Sequence, residues 1–167
     1  KSIGHGATTA KDMESDEEVW RTILDLTQEI GYKLKKNHLA ARGIQINVRD
    51  KNLFSCQYQM KLEYMTQSTL FLAQAAKLLF FKKHRFTTPL RSITVRAIDL
   101  VPEDTPQQLN LFAGYDKQDD IVRLESAVDR LRERFGNKIV VPASLMEKSC
   151  RPTLSTDFPK MPAPMYH

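Results

Sequence analysis

Two neighbouring stretches of alternating apolar and polar residues constrain the fold of this chain most strongly. Apolar side chains occupy every second position from 44 to 48, and again from 54 to 62. Successive side chains of a strand point to opposite faces of a sheet, so the pattern predicts two strands that each have a dry face and a wet face. The turn-like residues 50–52 between them predict a hairpin, with Phe54 and Tyr58 on its dry face.

Helical and extended patterns surround this hairpin in a definite order. Residues 1–9 favour a short strand, and Ser15 with Glu18 forms a capping box that begins a helix. A second helix is expected from about Thr66, as its cap, to residue 83 or 84, and an alternating strand follows Pro89. The order predicts an α+β fold, β-α-β-β-α-β, with a four-stranded antiparallel sheet and both helices on one face.

A third, amphipathic helix is predicted over 117–135, with one apolar stripe formed by Ile121, Leu124, Val128 and Leu131. The chain is then expected to divide into a domain over 1–104, a connecting segment over 105–115, this helix with a short extended segment near 139–141 over 116–145, and a loosely ordered Pro-rich tail over 146–167.

Charge and composition narrow the classes of function. Residues 1–104 carry 16 Lys and Arg against 12 Asp and Glu, an excess that permits a nucleic-acid partner without requiring one. The longest apolar run, 70–81, is too short and too polar to span a bilayer. We therefore expect no membrane partner. Cys56 and Cys150 have no metal-like spacing, which favours a reducing, cytoplasmic compartment. The missing initiator Met predicts a piece of a longer protein.

The polar alternates of the predicted strands define what we call the open face of the sheet. Its members are hydrogen-bonding or cationic and include no carboxylate, which is typical of a surface that holds phosphates without reading bases. The alternative is an ordinary solvated face. The members are Gln45, Asn47, Arg49, Gln57, Gln59, Lys61, Thr94 and Arg96, with His5, Thr8 and Thr9 on the first strand and Arg91 at the start of the last.

Catalytic chemistry has little support in the sequence. The chain has no glycine-rich phosphate loop, its histidines are scattered, and its carboxylate pairs lie at helix starts, where they serve the helix dipole. An RNA-recognition sheet would need aromatic residues on its open face, whereas the third strand offers Ser55, Gln57, Gln59 and Lys61 there. We therefore expect no enzyme activity and no cofactor or metal in this chain.

A short apolar segment follows the last predicted strand. Gln108, Leu109, Leu111 and Phe112 lie in a loop-like stretch after Pro106. Contiguous large apolar side chains on a loop indicate either a partner-binding peptide or a loop that folds back onto its own core. The segment alone leaves both alternatives open.

Motifs in matching order resemble the C-terminal little-finger domain of Y-family translesion DNA polymerases, the DinB and UmuC relatives called polymerases IV and V in bacteria. They are KSIGHGATT at 1–9, PLRSITV at 89–95, and QLNLF at 108–112, which resembles a sliding-clamp-binding peptide. The helical stretch at 129–136 resembles an extension found in Gram-positive-type members. The resemblance covers about 1–145.

The resemblance implies a non-catalytic part of a polymerase that grips duplex DNA and is tethered to the sliding clamp during DNA damage bypass. The palm, with its metal-binding carboxylates and Mg²⁺, would precede Lys1. Gln108 would bind at the rim of the clamp pocket, and Leu109, Leu111 and Phe112 would fill it. The implied DNA-contact residues are Ser2, His5, Gly6, Thr8, Gln45, Asn47, Arg49, Gln57, Gln59, Lys61, Arg91, Thr94 and Arg96. The alternative is a protein-interaction domain that uses the sheet face and the C-terminal helix and has no direct DNA role.

Overall fold

The computed structural model describes residues 1–85, 88–106, 116–136 and 139–146. The predicted clamp peptide at 108–112 and the tail from 147 onward lie outside these residues. The elements are β1 (Ile3–Met13), α1 (Asp16–Lys36), β2 (Leu39–Asp50), β3 (Ser55–Thr66), α2 (Thr69–Lys83), β4 (Leu90–Pro102), α3 (Asp116–Phe135) and a 3₁₀ helix, Ala143–Leu145.

The four strands form one antiparallel sheet in the order β1-β4-β2-β3. Helices α1 and α2 cover one face of it, and their apolar residues join those of β2 and β4 in a single core cluster. Ile44, Ile46, Ile93 and Val95 are fully buried in that cluster. The predicted α+β class, strand order along the chain and one-sided helix layer are confirmed.

The capping box at the start of α1 forms as predicted. The Ser15 hydroxyl accepts a hydrogen bond from the Glu18 N–H at 3.3 Å, and the Glu18 carboxylate accepts one from the Ser15 N–H at 3.2 Å. Three acidic residues in the first turn and three lysines in the last suit the helix dipole. Ile23, Leu26 and Ile30 point into the core from one side of the helix.

Helix α2 is apolar on nearly every side, and it packs closely on α1. A Cβ at Gly31 of α1 would lie 2.5 Å from the Thr69 hydroxyl, so glycine permits the approach. Leu72, Leu79 and Phe80 of α2 are buried. The cap of this helix is Ser68, whose hydroxyl accepts from the N–H three residues later.

The predicted cap at Thr66 is therefore wrong by two residues. Thr66 is the last residue of β3, and its hydroxyl accepts from the Ser68 N–H at 3.0 Å. Both residues are small, hydroxyl-bearing cap formers, so local preference alone does not separate them.

The buried part of the hairpin's dry face does not reach the start of β3, as the alternation predicts it should. Phe54 precedes β3 with 77% of its surface exposed, and Cys56 is exposed as well. Helix α2 ends where the ring of His84 meets that of Tyr58, so the helix layer stops there. The prediction that Phe54 belongs to the core is wrong because the helix layer stops short of it.

The apolar stripe of α3 does not pack as one unit on the domain. Ile121 and Val128 are half-buried, whereas Leu124 and Leu131 are exposed. The helix ends at Phe135, before a glycine at φ 95°. Residues 139–141 do not form the short extended segment that was expected, since residues 139 and 140 lie in a bend.

Neighbouring residues on β2 test which side of the sheet is the core. Ile46→Ala is expected to lower the free energy of unfolding by about 2–5 kcal/mol, because it leaves a cavity among buried side chains. The adjacent change Asn47→Ala, on the other face, is expected to stay within about 0.5 kcal/mol. Urea unfolding of both variants measures the difference, and equal losses would contradict the assignment of the two faces.

Candidate nucleic-acid interface

Three rows of side chains run across the uncovered face of the sheet. Directly paired residues of neighbouring strands share a face, so the strand register fixes the members of each row. None of the three rows contains a carboxylate. In strand order β1-β4-β2-β3 the rows are Gly4–Arg96–Gln45–Gln59, Gly6–Thr94–Asn47–Gln57 and Thr8–Ser92–Arg49–Ser55.

The cations of this face are exposed and available. Within the described parts of the chain, the side chains of Arg49, Arg96 and Lys61 have no hydrogen-bond or ion-pair partner, and all three residues are exposed. Lys61 pairs with Gly43 beyond the first row, and the exposed Glu63 lies two residues further along β3. The positive charge of the face is therefore not neutralised within the three rows.

Gln45 is only 8% exposed although no helix covers it. Its partners in the row are Arg96 on one side and Gln59 on the other, both with long side chains. Gln45 is thus shielded by its own row, and the predicted placement of Gln45, Arg49, Gln57 and Arg96 on one uncovered face agrees with the structure.

Two glycines of β1 leave this edge of the open face without projecting side chains of its own. A Cβ at Gly4 would overlap the Arg96 side chain, and a Cβ at Gly6 would overlap the Thr94 hydroxyl. Glycine thus lets the side chains of β4 lie across the backbone of β1.

His5 was predicted to lie on this face, and the prediction is wrong. His5 pairs with Val95, a fully buried core residue, and it stands between Ile3 and Ala7, which pack against the core. A regular strand cannot present His5 and Gly6 on the same side.

Two further predicted residues fall outside the paired rows. Arg91 is exposed at a register shift of β4, where Leu90 pairs with Asp50 but Ser92 pairs with Arg49. Ser2 is exposed and precedes β1. The other predicted DNA-contact residues lie in the rows or, for Lys61, directly beside them.

Three members of the rows, Gly4, Ser55 and Ser92, were missing from the predicted DNA-contact set, although alternation had already placed Ser55 on the open face. Each lies two residues before a predicted contact of the same strand, so the same alternation would have found Gly4 and Ser92. Strict alternation also would have removed His5.

The structure describes the chain up to residue 106 and again from residue 116, which lie on either side of the predicted clamp segment. Before the gap, Glu103 is anchored by a 2.6 Å hydrogen bond from the Gln67 amide and a 2.7 Å contact to His38 Nδ1. The Gln67 hydrogen bond, followed by that of His38, lowers the pKa of the Glu103 carboxyl. The Glu103 N–H also donates to the His38 carbonyl at 3.0 Å.

After the gap, α3 is anchored through Glu125. Its carboxylate accepts hydrogen bonds from the N–H groups of Thr69 and Leu70 at 3.2 and 3.0 Å, and from the Ser68 hydroxyl at 2.9 Å. A carboxylate is favoured there because it meets the unpaired N–H groups and the positive dipole end of α2. Lys35 of α1 adds ion pairs to Glu125 at 3.1 Å and to Asp129 at 2.6 Å.

Glu103 and Glu125, which precede and follow the predicted clamp segment, are thus attached near one corner of the domain. His38 and Lys35 lie at the end of α1, and Gln67 and Ser68 lie at the start of α2. The corner is held by polar contacts, which are partly exposed, rather than by apolar packing.

Among the described residues, no three His, Cys, Asp or Glu side chains are grouped so that they could hold a metal ion. None of the helices in the described part of the chain combines the length and apolarity that a bilayer span requires.

Comparison with known proteins identifies the family. Residues 1–111 match the C-terminal domain of the impB/mucB/samB family, so the chain belongs to this family and contains its C-terminal domain. The resemblance to Y-family polymerases of the polymerase IV type is thereby confirmed at the level of the family.

Curated relatives agree with this assignment. DNA polymerase IV of Acetivibrio thermocellus is 35% identical over 136 residues, covering 81% of this chain and 34% of the relative. DNA polymerase IV 2 of Halalkalibacterium halodurans is 29% identical over 145 residues, covering 84% and 34%. DNA polymerase IV 2 of Bacillus subtilis is 28% identical over 148 residues, covering 86% and 35%. The chain thus spans about one third of the length of these relatives.

A solved structure shares the fold. It is the little-finger domain of PolIV in a complex with the β-clamp processivity factor, with a TM-score of 0.51 and 17% identity. The match covers 68% of this chain and 100% of the other chain. At this identity the comparison supports the architecture alone.

The anchor of α3 can be tested by removing one carboxylate. Glu125→Ala is expected to speed hydrogen exchange of the α3 amides by about tenfold or more, because several charge-assisted hydrogen bonds are lost. Exchange in the sheet should stay unchanged. The matched variant Glu133→Ala, at an exposed position of the same helix, should leave α3 as in the wild type. Equal exchange in both variants would show that Glu125 does not hold the helix.

Proposed function

We propose that this chain is the DNA-gripping and clamp-tethering part of a translesion DNA polymerase. In this proposal the open face holds the backbone of duplex primer–template DNA, and Gln108, Leu109, Leu111 and Phe112 bind the replication sliding clamp. The chain itself carries out no chemistry. Polymerisation and its Mg²⁺ ions belong to the part of the parent protein that precedes the family's C-terminal domain.

The observation that carries the DNA role is the set of three carboxylate-free rows on an uncovered sheet. Exposed arginines, a lysine, amides and hydroxyls are the groups that bind phosphate oxygens. Affinity from backbone contacts depends little on sequence or on a damaged base, and this suits an enzyme that must stay on irregular templates.

The clamp role rests on the peptide and on its attachment. Burying Leu111 and Phe112 in a pocket can contribute about 1.5–3 kcal/mol each, and ordering the segment offsets part of this gain. The peptide alone should then bind at about micromolar strength. The peptide belongs to the same chain as the DNA-holding sheet, so DNA held by the sheet raises the effective concentration of the peptide at the clamp.

A second candidate function is protein interaction through α3. Leu124 is 64% exposed, and Leu131 and Phe135 follow it at seven and eleven residues, so all three lie on one side of the helix. The helix uses its polar side to dock on the domain and leaves this apolar side uncovered. In this second candidate function, DNA binding is incidental. A mobility-shift assay with duplex DNA at two salt concentrations distinguishes it from the first candidate.

The role of the open face can be tested by its salt dependence. Replacing Arg49 and Arg96 by Ala should weaken duplex binding and reduce the steepness of log affinity against log salt by about 2, since each lost phosphate contact removes about 0.9. The control replaces Lys82 and Lys83, exposed at the end of α2 on the other side of the sheet, with the same change in charge. Fluorescence anisotropy over a salt series gives both slopes. An unchanged slope in the arginine variant would exclude the open face from the interface.

The clamp segment can be tested separately. Leu111→Ala with Phe112→Ala should weaken binding to purified β-clamp more than tenfold, because about 3 kcal/mol or more of apolar burial is lost, with no change in duplex affinity. The control is Val122→Ala, an exposed apolar position of α3. A pull-down with quantified clamp measures the effect. Parallel loss of clamp and DNA binding would show that these residues belong to the core instead.

A further inference from the structure

Helix α3 carries two parallel rows of exposed side chains, which together form what we call the α3 stripe. One row is apolar and the other is cationic, and each arginine directly precedes one member of the apolar row. Both rows have spacings of seven and four residues, which keep their members in line along a helix. The apolar row is Leu124, Leu131 and Phe135, exposed at 64%, 44% and 59%, and the cationic row is Arg123, Arg130 and Arg134.

The carboxylates in the middle of α3 point the other way, into the domain. Glu125 accepts hydrogen bonds at the start of α2, and Asp129 pairs with Lys35 at 2.6 Å. Their side chains are only 15% and 19% exposed. None of the three arginines of the stripe forms an ion pair with any residue that the structure describes. Docking therefore uses negative charge of α3 and leaves these arginines exposed.

Little negative charge remains beside the stripe. Among the described side chains of α3, the exposed carboxylates are Asp120 and Glu133. Asp120 lies one turn before Leu124, whereas Glu133 follows Leu131 by two residues and so does not share its side of the helix. The apolar row is thus bordered by three cations against one carboxylate.

The two rows form one continuous surface. From Leu124 to Phe135 the apolar row extends about 16 Å along the helix axis. The Arg134 guanidinium lies 5.1 Å from the centroid of the Phe135 ring, so charge and apolar surface are in contact there. A single exposed leucine is ordinary, but an aligned apolar row with a cationic border is typical of a contact site.

The spacing and the charge of the stripe identify its partner. A straight apolar row on a helix is complementary to the apolar side of a second helix, and the arginines select acidic residues beside that side. A second copy of the chain fits poorly, because symmetric pairing brings the same surface of both copies together and sets arginine against arginine. Duplex DNA would use the arginines but would leave the apolar row uncovered.

We propose that the α3 stripe binds an acidic amphipathic helix of a partner protein. The apolar side of that helix packs on Leu124, Leu131 and Phe135, and its Asp or Glu residues pair with the three arginines. The inference rests on protein interaction through α3, the second candidate function. It holds whether or not the sheet also binds DNA, and it does not involve the clamp segment.

The experiment uses the full chain and two labelled helical peptides of equal length. Both peptides carry leucines at heptad positions a and d, and one carries Glu at positions e and g where the other carries Lys. Fluorescence anisotropy is expected to show at least about tenfold tighter binding of the Glu peptide. Leu124→Ala with Leu131→Ala should weaken that binding about tenfold, because two apolar contacts are lost. Arg123→Gln with Arg130→Gln should bring the two affinities within about threefold of each other.

The matched charge control is Lys82→Gln with Lys83→Gln on α2, which should keep the preference for the Glu peptide. Hydrogen exchange of the α3 amides confirms that the helix stays docked in each variant. Absence of binding to the Glu peptide, or equal affinity for both peptides, would overturn the proposal. It would also be overturned by a wild-type dimer that the leucine variant dissociates, or by an arginine variant that loses duplex affinity instead. If the wild-type chain binds the Glu peptide but not duplex DNA, the DNA role fails and this inference stands.

Discussion

The structure depends on one constraint, which is that a single helix layer covers a four-stranded sheet on one side only. Because alternate residues of every strand point to opposite faces, the constraint divides each strand into buried and uncovered positions. Ile44, Ile46 and Val48 fill the core, and the residues between them are left outside. The uncovered side is a continuous surface only because all four strands keep a common register across it.

The chemistry of the uncovered side depends on the absence of carboxylates from its rows as much as on the arginines, amides and hydroxyls that they contain. A sheet face in contact with water alone could carry carboxylates at no cost. Here the rows contain Arg49 and Arg96 together with amides and hydroxyls, and at the β1 edge two of the three rows end in a glycine, which has no side chain.

The C-terminal helix illustrates a different kind of attachment. Its Glu125 occupies the start of α2, where backbone N–H groups have no helical partner, and Lys35 bridges it to α1. Polar anchoring of this kind is weaker and more sensitive to salt than apolar packing. It attaches α3 to the corner at which Gln67 binds Glu103, while leaving Leu124 and Leu131 exposed.

The sequence by itself determined the elements, their order and the face to which most strand residues belong, because those properties follow from local periodicity. It also pointed to the family, through motifs whose order along the chain is preserved. The tertiary structure alone decided where the covered area ends. Phe54 was misplaced because the edge of the helix layer depends on contacts between distant residues, whereas strict alternation with Gly6 and Thr8 would have kept His5 off the open face. The anchor of α3 was equally invisible, since residues 35, 68 and 125 meet only after the domain has folded.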